Sequence, residues 1–197
     1  MKNFKNCFRP AKEYIDELNE CFKDIQYNKK YKYVLNENGT KKLMTEDDFK
    51  EGSVTYLVWL DNEKNIAGYF EYCKMYNTKT FFIDFLITFT DNSSDTVNMM
   101  KEIYKIILEN FIGDYDLEKL QWGFTIGNPV ERGYKKLGKI LSQKYNMIFT
   151  YYDFYNGIRT FDGELLDQRI YQILKPDMIL KRKGEIFLSN PTVDIRK

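Results

Sequence analysis

The sequence predicts an α/β chain of the α+β kind, with a central mixed, mostly antiparallel sheet flanked by helices and a C-terminal β-hairpin extension. Three observations carry that expectation. Thr80 to Phe89 is an apolar run broken only by Asp84, the pattern of a strand covered on both faces. Two strand-like runs precede it, Val54 to Leu60 and Ile66 to Cys73, joined by the polar connector Asp61 to Asn65. Strand and helix patterns alternate after it, and in such an alternation a ligand sits where strands end and helices begin.

The flanking elements follow in order. Asn6 to Pro10 is a short extended lead-in, because proline biases Arg9 away from helical dihedrals. From Ala11 to Ile25, apolar residues at Tyr14, Leu18, Cys21, Phe22 and Ile25 recur every three or four positions, as on an amphipathic helix. Tyr31 to Leu35 and Thr40 to Met44 flank Asn36-Glu37-Asn38-Gly39, a hairpin turn or a loop. Thr45 caps a short helix with Glu46, Asp47 and Asp48 in its first turn, where acidic residues suit the helix dipole and could also attract a cation.

The third strand, Thr80 to Phe89, places the Asp84 carboxylate in an apolar setting. Burial raises a carboxylate pKa, which suits a general base, and an edge position or a cationic partner is the structural alternative. Asp91 to Thr96 is a polar break rich in capping side chains, followed by a helix from Val97 to Ile112 with a stripe at Val97, Met100, Ile103, Tyr104, Ile107 and Phe111. Leu117 to Ile126 is the next strand. Asn128 as N-cap, Pro129 at the first helical position and Glu131 at the third form a capping box, and Gly138 ends that helix. Lys139 to Lys144 and Met147 to Tyr155 are either two strands or a longer helix followed by one strand. Asn156-Gly157 and Asp162-Gly163 signal turns, Leu165 to Leu174 is a strand or a short helix, and residues 178–188 form a hairpin with Lys181-Arg182-Lys183 at its tip.

Composition narrows the function. There is no histidine among 197 residues, which removes Ser-His and Cys-His nucleophile pairs and the commonest zinc ligand, and no metal site is expected. With 30 basic and 29 acidic residues the net charge is +1, so no long-range field draws in nucleic acid or an anionic membrane, and neither partner is expected. Cys7, Cys21 and Cys73 lack metal-like spacing and read as free thiols in a reducing compartment. The sequence shows neither a signal peptide nor an apolar run long enough to span a membrane, so a cytoplasmic location is expected. The richness in Lys, Asn, Tyr and Ile points to an AT-rich coding genome, bacterial or phage.

The order of elements resembles that of the GNAT (Gcn5-related N-acetyltransferase) family from about Asn6 to Lys175, giving one domain over residues 1–175 and an extension over 176–197. Phe8-Arg9-Pro10-Ala11 is similar to the family's opening strand and first helix. Asn128-Pro129 with Tyr134-Lys135-Lys136-Leu137-Gly138 is similar to its late motif. The third likeness is the continuous strand leading into a helix N-terminus. The resemblance implies a transfer of an acyl group, acetyl by preference, from acyl-CoA to the amine of a small molecule or protein by direct attack, in a monomer or homodimer. Acyl-CoA would lie between Thr80 to Phe89 and Leu117 to Ile126, with backbone near Ile87, Thr88 and Phe89 on the pantetheine amides. Asn92, Ser93, Ser94 and Thr96 would lie near the phosphates and Asn128 near the pantetheine arm. Tyr134 would be the general acid, and Asp84 or Glu71 the base. The family's pyrophosphate loop, Gln or Arg followed by x-x-Gly-x-Gly or Ala, is replaced by Thr90-Asp91-Asn92-Ser93-Ser94-Asp95-Thr96, without glycine or a basic residue. The alternative is a GNAT-like binding protein that has lost CoA binding, such as an accessory protein of a mobile element.

Overall fold

Alternating apolar side chains build the sheet around a hairpin. β2 (Val54–Leu60) and β3 (Ile66–Met75) pair antiparallel as expected, and β4 (Thr80–Thr88) adds to β3. β1 (Cys7–Pro10) borders β2, β5 (Lys119–Thr125) lies parallel to β4, and β7 (Leu165–Leu174) separates β5 from the edge strand β6 (Ile148–Arg159). Among the described residues the seven-stranded order is therefore β1-β2-β3-β4-β5-β7-β6, with a single parallel pair at its centre. A parallel pair needs a crossover, supplied here by the helix between β4 and β5. This computed structural model describes residues 7–25, 43–50, 52–159 and 163–176. The expected hairpin around Asn36 to Gly39, the Asp162 turn and the C-terminal hairpin with Lys181 to Lys183 lie outside the described residues.

Helices cover both faces. Ala11–Tyr14 forms a 3-10 turn that leads into α1 (Ile15–Ile25), whose Leu18, Phe22 and Ile25 pack with Val58, Tyr69 and Ile87. The opposite face carries α2 (Ser93–Ile107), prolonged by a π-helical turn at Leu108–Ile112, and α3 (Glu131–Tyr145). Phe81, Phe111, Leu120 and Tyr171 are essentially inaccessible there. Burial of each such side chain contributes about 1.5–3 kcal/mol. Among the described residues no helix is long and apolar enough to cross a membrane.

Several boundaries depart from the sequence expectation for local reasons. α2 starts at Ser93 because Asn92 caps it, so its buried stripe is Met99, Ile103, Ile107 and Phe111, while Val97 is 52 % exposed. Met99 occupies the space left by Gly68 on β3, where a Cβ would stand 2.5 Å from its sulfur. Gly138 does not end α3. It is buried in mid-helix because a Cβ there would stand 2.3 Å from the Phe149 ring. The longer helix is thus the correct alternative, and β6 follows it through Asn156-Gly157, which is a register shift within one strand and not a turn. Leu165 to Leu174 is a strand, and Thr45 caps a 3-10 turn (Glu46–Phe49) by giving its N–H and hydroxyl to Asp48 Oδ2 at 2.7 and 2.8 Å.

β4 explains why its sequence reads as covered on both sides. Glu71 pairs with Phe85 while the next residue, Tyr72, pairs with Ile83, so Asp84 is the extra residue of a bulge. Before the bulge Phe81 and Ile83 join the core under α2, and after it Ile87 joins the core under α1. Asp84 itself is exposed, which corrects the expectation of a buried carboxylate.

Candidate active site

The central parallel pair is joined over only part of its length. Thr80↔Lys119 through Ile83↔Trp122 are in register, and no further pair joins the strands although β4 runs to Thr88 and β5 to Thr125. β4 stays with β3 as far as Thr88↔Gly68, and β5 stays with β7 as far as Thr125↔Gln168. The two strands therefore part like a V. Its closed end is pinned by the Lys79 carbonyl, which accepts from Glu118 N at 2.8 Å and Lys119 N at 3.1 Å, and by the Lys79 ammonium, 2.7 Å from the Glu118 carboxylate.

The backbone of β4 faces the V at alternate residues. Phe89 N donates to Ala67 O of the β3 side at 2.9 Å. Antiparallel alternation then turns Ile87 towards β3 as well, and directs the polar backbone groups of Leu86 and Thr88 towards β5. Of Ile87, Thr88 and Phe89, Thr88 alone has its backbone polar groups on the β5 side of the strand, as Leu86 also does.

Two carboxylates stand on the α1 face beside the V. Glu71 is 4 % exposed and accepts a hydrogen bond from the Tyr69 hydroxyl, two residues earlier on the same strand face. Asp84, at the bulge, makes its charge felt at Tyr56, Tyr69 and Cys73. Burial first, and then the Glu71 charge, push both the Tyr69 and Tyr56 hydroxyls up from the ordinary tyrosine value. Tyr56 lies directly opposite Glu71 on β2 and packs edge-on against Phe49 at 5.2 Å. A carboxylate recessed among aromatic rings and hydroxyls can accept a proton from a cationic or neutral amine.

At the start of α2, Asn92 Oδ1 accepts from Ser94 N at 3.0 Å and Asn92 O accepts from Thr96 N at 3.1 Å. Ser93 and Ser94 are exposed, Thr96 is half-buried, and Asp95 turns inward to 8 % exposure. With Asp95 turned inward and the Ser94 and Thr96 N–H groups given to Asn92, the exposed serine hydroxyls are the outward chemistry of this end, with Asp91 exposed nearby.

The start of α3 is built differently. Asn128 Oδ1 accepts from Val130 N at 3.1 Å, and the helix proper begins at Glu131. Glu131 does not close the expected capping box. Its carboxylate instead meets Arg169 Nη1 at 2.9 Å and the Tyr171 hydroxyl at 3.4 Å, while Arg169 grips Asp153 with two contacts of 2.7 Å. One turn on, the half-buried Tyr134 ring packs on Phe124 at 5.8 Å, beside the part of β5 that has left β4. Burial pushes its hydroxyl well above the ordinary tyrosine value, and it has no side-chain hydrogen-bond partner among the described residues. A tyrosine kept protonated and without an internal acceptor is suited to donating a proton to something placed in the V. Tyr134 approaches from the α2–α3 face and the carboxylates from the α1 face, so the predicted acid and bases meet only through the opening between β4 and β5.

The V also suits an extended acyl-CoA arm: backbone polar groups of Leu86 and Thr88 line one wall, and the α2 terminus offers exposed serine hydroxyls, though without glycines or a cation. Among the described residues no cluster of histidine, cysteine, aspartate or glutamate is arranged to hold a metal ion.

No protein-family model matches the sequence, and no curated protein shows significant similarity to it. Solved structures do. A spermidine N-acetyltransferase from Vibrio cholerae, in complex with CoA and spermine, superposes with a TM-score of 0.57 at 13% identity, covering 86% of this chain and 95% of its own. A GCN5-related N-acetyltransferase from Brucella melitensis gives 0.54 at 12% identity, covering 85% of this chain and 74% of its own. A dodecameric form of the Vibrio enzyme gives 0.50 at 13% identity over 69% of this chain and 73% of its own. Identities this low establish a shared fold and nothing finer.

Proposed function

We propose, on the premise that this chain carries the Gcn5-related N-acetyltransferase fold, that it is an acyl-CoA-dependent N-acyltransferase, acetyl by preference, acting on an amine by direct attack. The observation that carries the reading is the parting of β4 from β5 after Ile83↔Trp122. A parallel pair normally keeps its ladder for the whole overlap, and opening it exposes backbone at the centre of the sheet. An extended donor with amides of its own can lie along that backbone as a further strand would.

Leu86 and Thr88 would bind the pantetheine amides through backbone groups. Asn92, Ser93, Ser94 and Thr96 would receive the phosphates at the α2 terminus, where N–H groups favour an anion even without a basic side chain. Asn128 would stand beside the pantetheine arm. When bound, acyl-CoA supplies an activated thioester carbonyl and a thiolate leaving group. Glu71, held by Tyr69, accepts the proton that the attacking amine must lose, and Asp84 at the bulge holds the positive charge of the arriving acceptor. Tyr134 gives its phenolic proton to the departing sulfur and is reprotonated from solvent. No step needs histidine, a metal or a covalent enzyme intermediate, in keeping with the composition. Because the Vibrio protein binds spermine together with CoA, di- and polyamines are the first acceptors to try.

Calorimetric titration with acetyl-CoA tests the reading. Micromolar binding is expected, followed by CoA release when spermine or another amine is added. A folded protein that binds neither acetyl-CoA nor CoA at millimolar concentration would remove the proposal.

A further inference from the structure

Arg169 is a cation in the middle of β7, 19% exposed, with three partners on two other elements. Its guanidinium donates from Nε and Nη2 to the two oxygens of Asp153 on β6, both at 2.7 Å, and from Nη1 to Glu131 Oε1 on α3 at 2.9 Å. Its flat face lies 4.3 Å from the centroid of Tyr151. A guanidinium can serve two carboxylates and an aromatic face at once, which an ammonium cannot do in one geometry. Glu131 is the first residue of α3, so this fork clamps the beginning of the helix to the sheet.

The clamp continues into packing. The Tyr171 hydroxyl donates to Glu131 Oε1 at 3.4 Å, the Tyr171 ring packs on Phe124 at 5.2 Å, and Phe124 carries the Tyr134 ring at 5.8 Å. Tyr134 N donates to Val130 O at 3.1 Å, so its backbone is part of the same helical turn that Glu131 opens. Glu131 and Tyr134 are three residues apart and occupy neighbouring positions on one helix face. We infer that Arg169 positions Tyr134, holding the first turn of α3 through Glu131 so that the phenol stays seated on Phe124 beside the opening between β4 and β5. Arg169 is a positioning residue: it touches neither Tyr134 nor the V. Its role in turnover rests on the acyltransferase reading, whereas its hold on Tyr134 does not.

The test separates the two. Protein labelled with 13C at tyrosine Cζ gives one signal per tyrosine, and that of Tyr134 is identified by its loss in Tyr134→Phe. In the wild type this signal is expected to resist ionisation where ordinary tyrosines titrate, at about pH 10. In Arg169→Met and in Glu131→Gln it is expected to titrate with the exposed tyrosines. With acetyl-CoA and spermine, both variants are expected to lose about 10-fold to 100-fold in kcat, with KM for acetyl-CoA within about 2-fold of wild type, as for a weakened general acid. Arg169→Lys, which keeps the charge but not the fork, is expected to restore less than half of the lost kcat. A folded Arg169→Met or Glu131→Gln in which Tyr134 titrates as in the wild type overturns the inference, and Glu131→Gln decides it alone if Arg169→Met does not fold. If the wild type transfers no acetyl group to spermine or to a lysine-containing peptide, the acyltransferase reading fails there, and the tyrosine titration still decides the positioning.

Discussion

α2 and α3 both begin beside the V with an asparagine that accepts from the backbone two residues on, Asn92 from Ser94 and Asn128 from Val130. They are nevertheless built to opposite ends. Behind Asn128 the first helical residue is tied by Arg169 to two further strands, and Tyr134 packs into the core. Behind Asn92 the first two helical residues are exposed serines, and the first side chain to turn inward is Asp95. A proton donor must be held in a fixed place, whereas phosphate groups are met by backbone N–H groups that need only be left accessible. The difference between the two termini thus matches the proposed division, with proton donation at α3 and anion binding at α2.

The most severe challenge to that division is Tyr134→Phe, expected to lower kcat with acetyl-CoA and an amine by about 100-fold while acetyl-CoA affinity in calorimetry stays unchanged. A comparable loss of affinity would show that the α3 terminus binds the donor instead. Next comes the rigid side itself. Gly138→Ala pushes a methyl group into Phe149 and is expected to cost about 1–3 kcal/mol in urea unfolding, largely recovered in Gly138→Ala/Phe149→Leu.

Ser94→Asp sharpens the other side, because its two effects have opposite signs. An added carboxylate in the first turn of α2 is expected to raise stability by about 0.3–1 kcal/mol and, near the phosphates, to weaken acetyl-CoA binding several-fold. Asn92→Ala is expected to cost about 1 kcal/mol as a lost cap, and Asn128→Ala less, since Arg169 also secures the α3 terminus. The smallest effect is on pH dependence. The folded-state pKa values of Tyr134 and Tyr69 lie above their unfolded values, so their contribution is whole below about pH 10 and is lost as the pH rises further. Urea midpoints of the wild type are therefore expected to fall above that pH, and those of Tyr134→Phe to fall less.

The sequence made the sheet legible wherever local pattern and tertiary burial agree. Val54 to Leu60, Ile66 to Cys73 and Thr80 to Phe89 read as strands from apolar runs and polar connectors and are strands to within two residues, and the order of elements with the Phe8 to Ala11 and Asn128 to Gly138 segments anticipated a fold that no family model or curated protein matches. It misled where a residue answers to a distant partner. Gly138 reads as a helix stop and is instead a seat for Phe149, eleven positions later. Glu131 reads as half of a capping box and is instead the anchor of Arg169. Asp84 reads as buried because its neighbours are apolar on both sides. Arg169 itself carried a signal that went unused: a lone cation in a strand whose neighbours Ile170, Tyr171 and Ile173 are apolar needs a carboxylate across the sheet.

The bulge at Asp84 gives β4 the logic of a phase boundary. Odd-numbered residues look one way before it and the other way after it, as Phe81 and Ile83 against Ile87 show. Deleting Asp84 would therefore leave Ile83 and Phe85 as ordinary neighbours opposite Tyr72 and Glu71, with Phe85 to Thr88 still on their own faces, whereas drawing Asp84 into the ladder as a paired residue would exchange those faces and send Ile87 out of the core under α1. The faces of β4 thus depend on the residue at position 84 staying out of the ladder, and not on which side chain it carries.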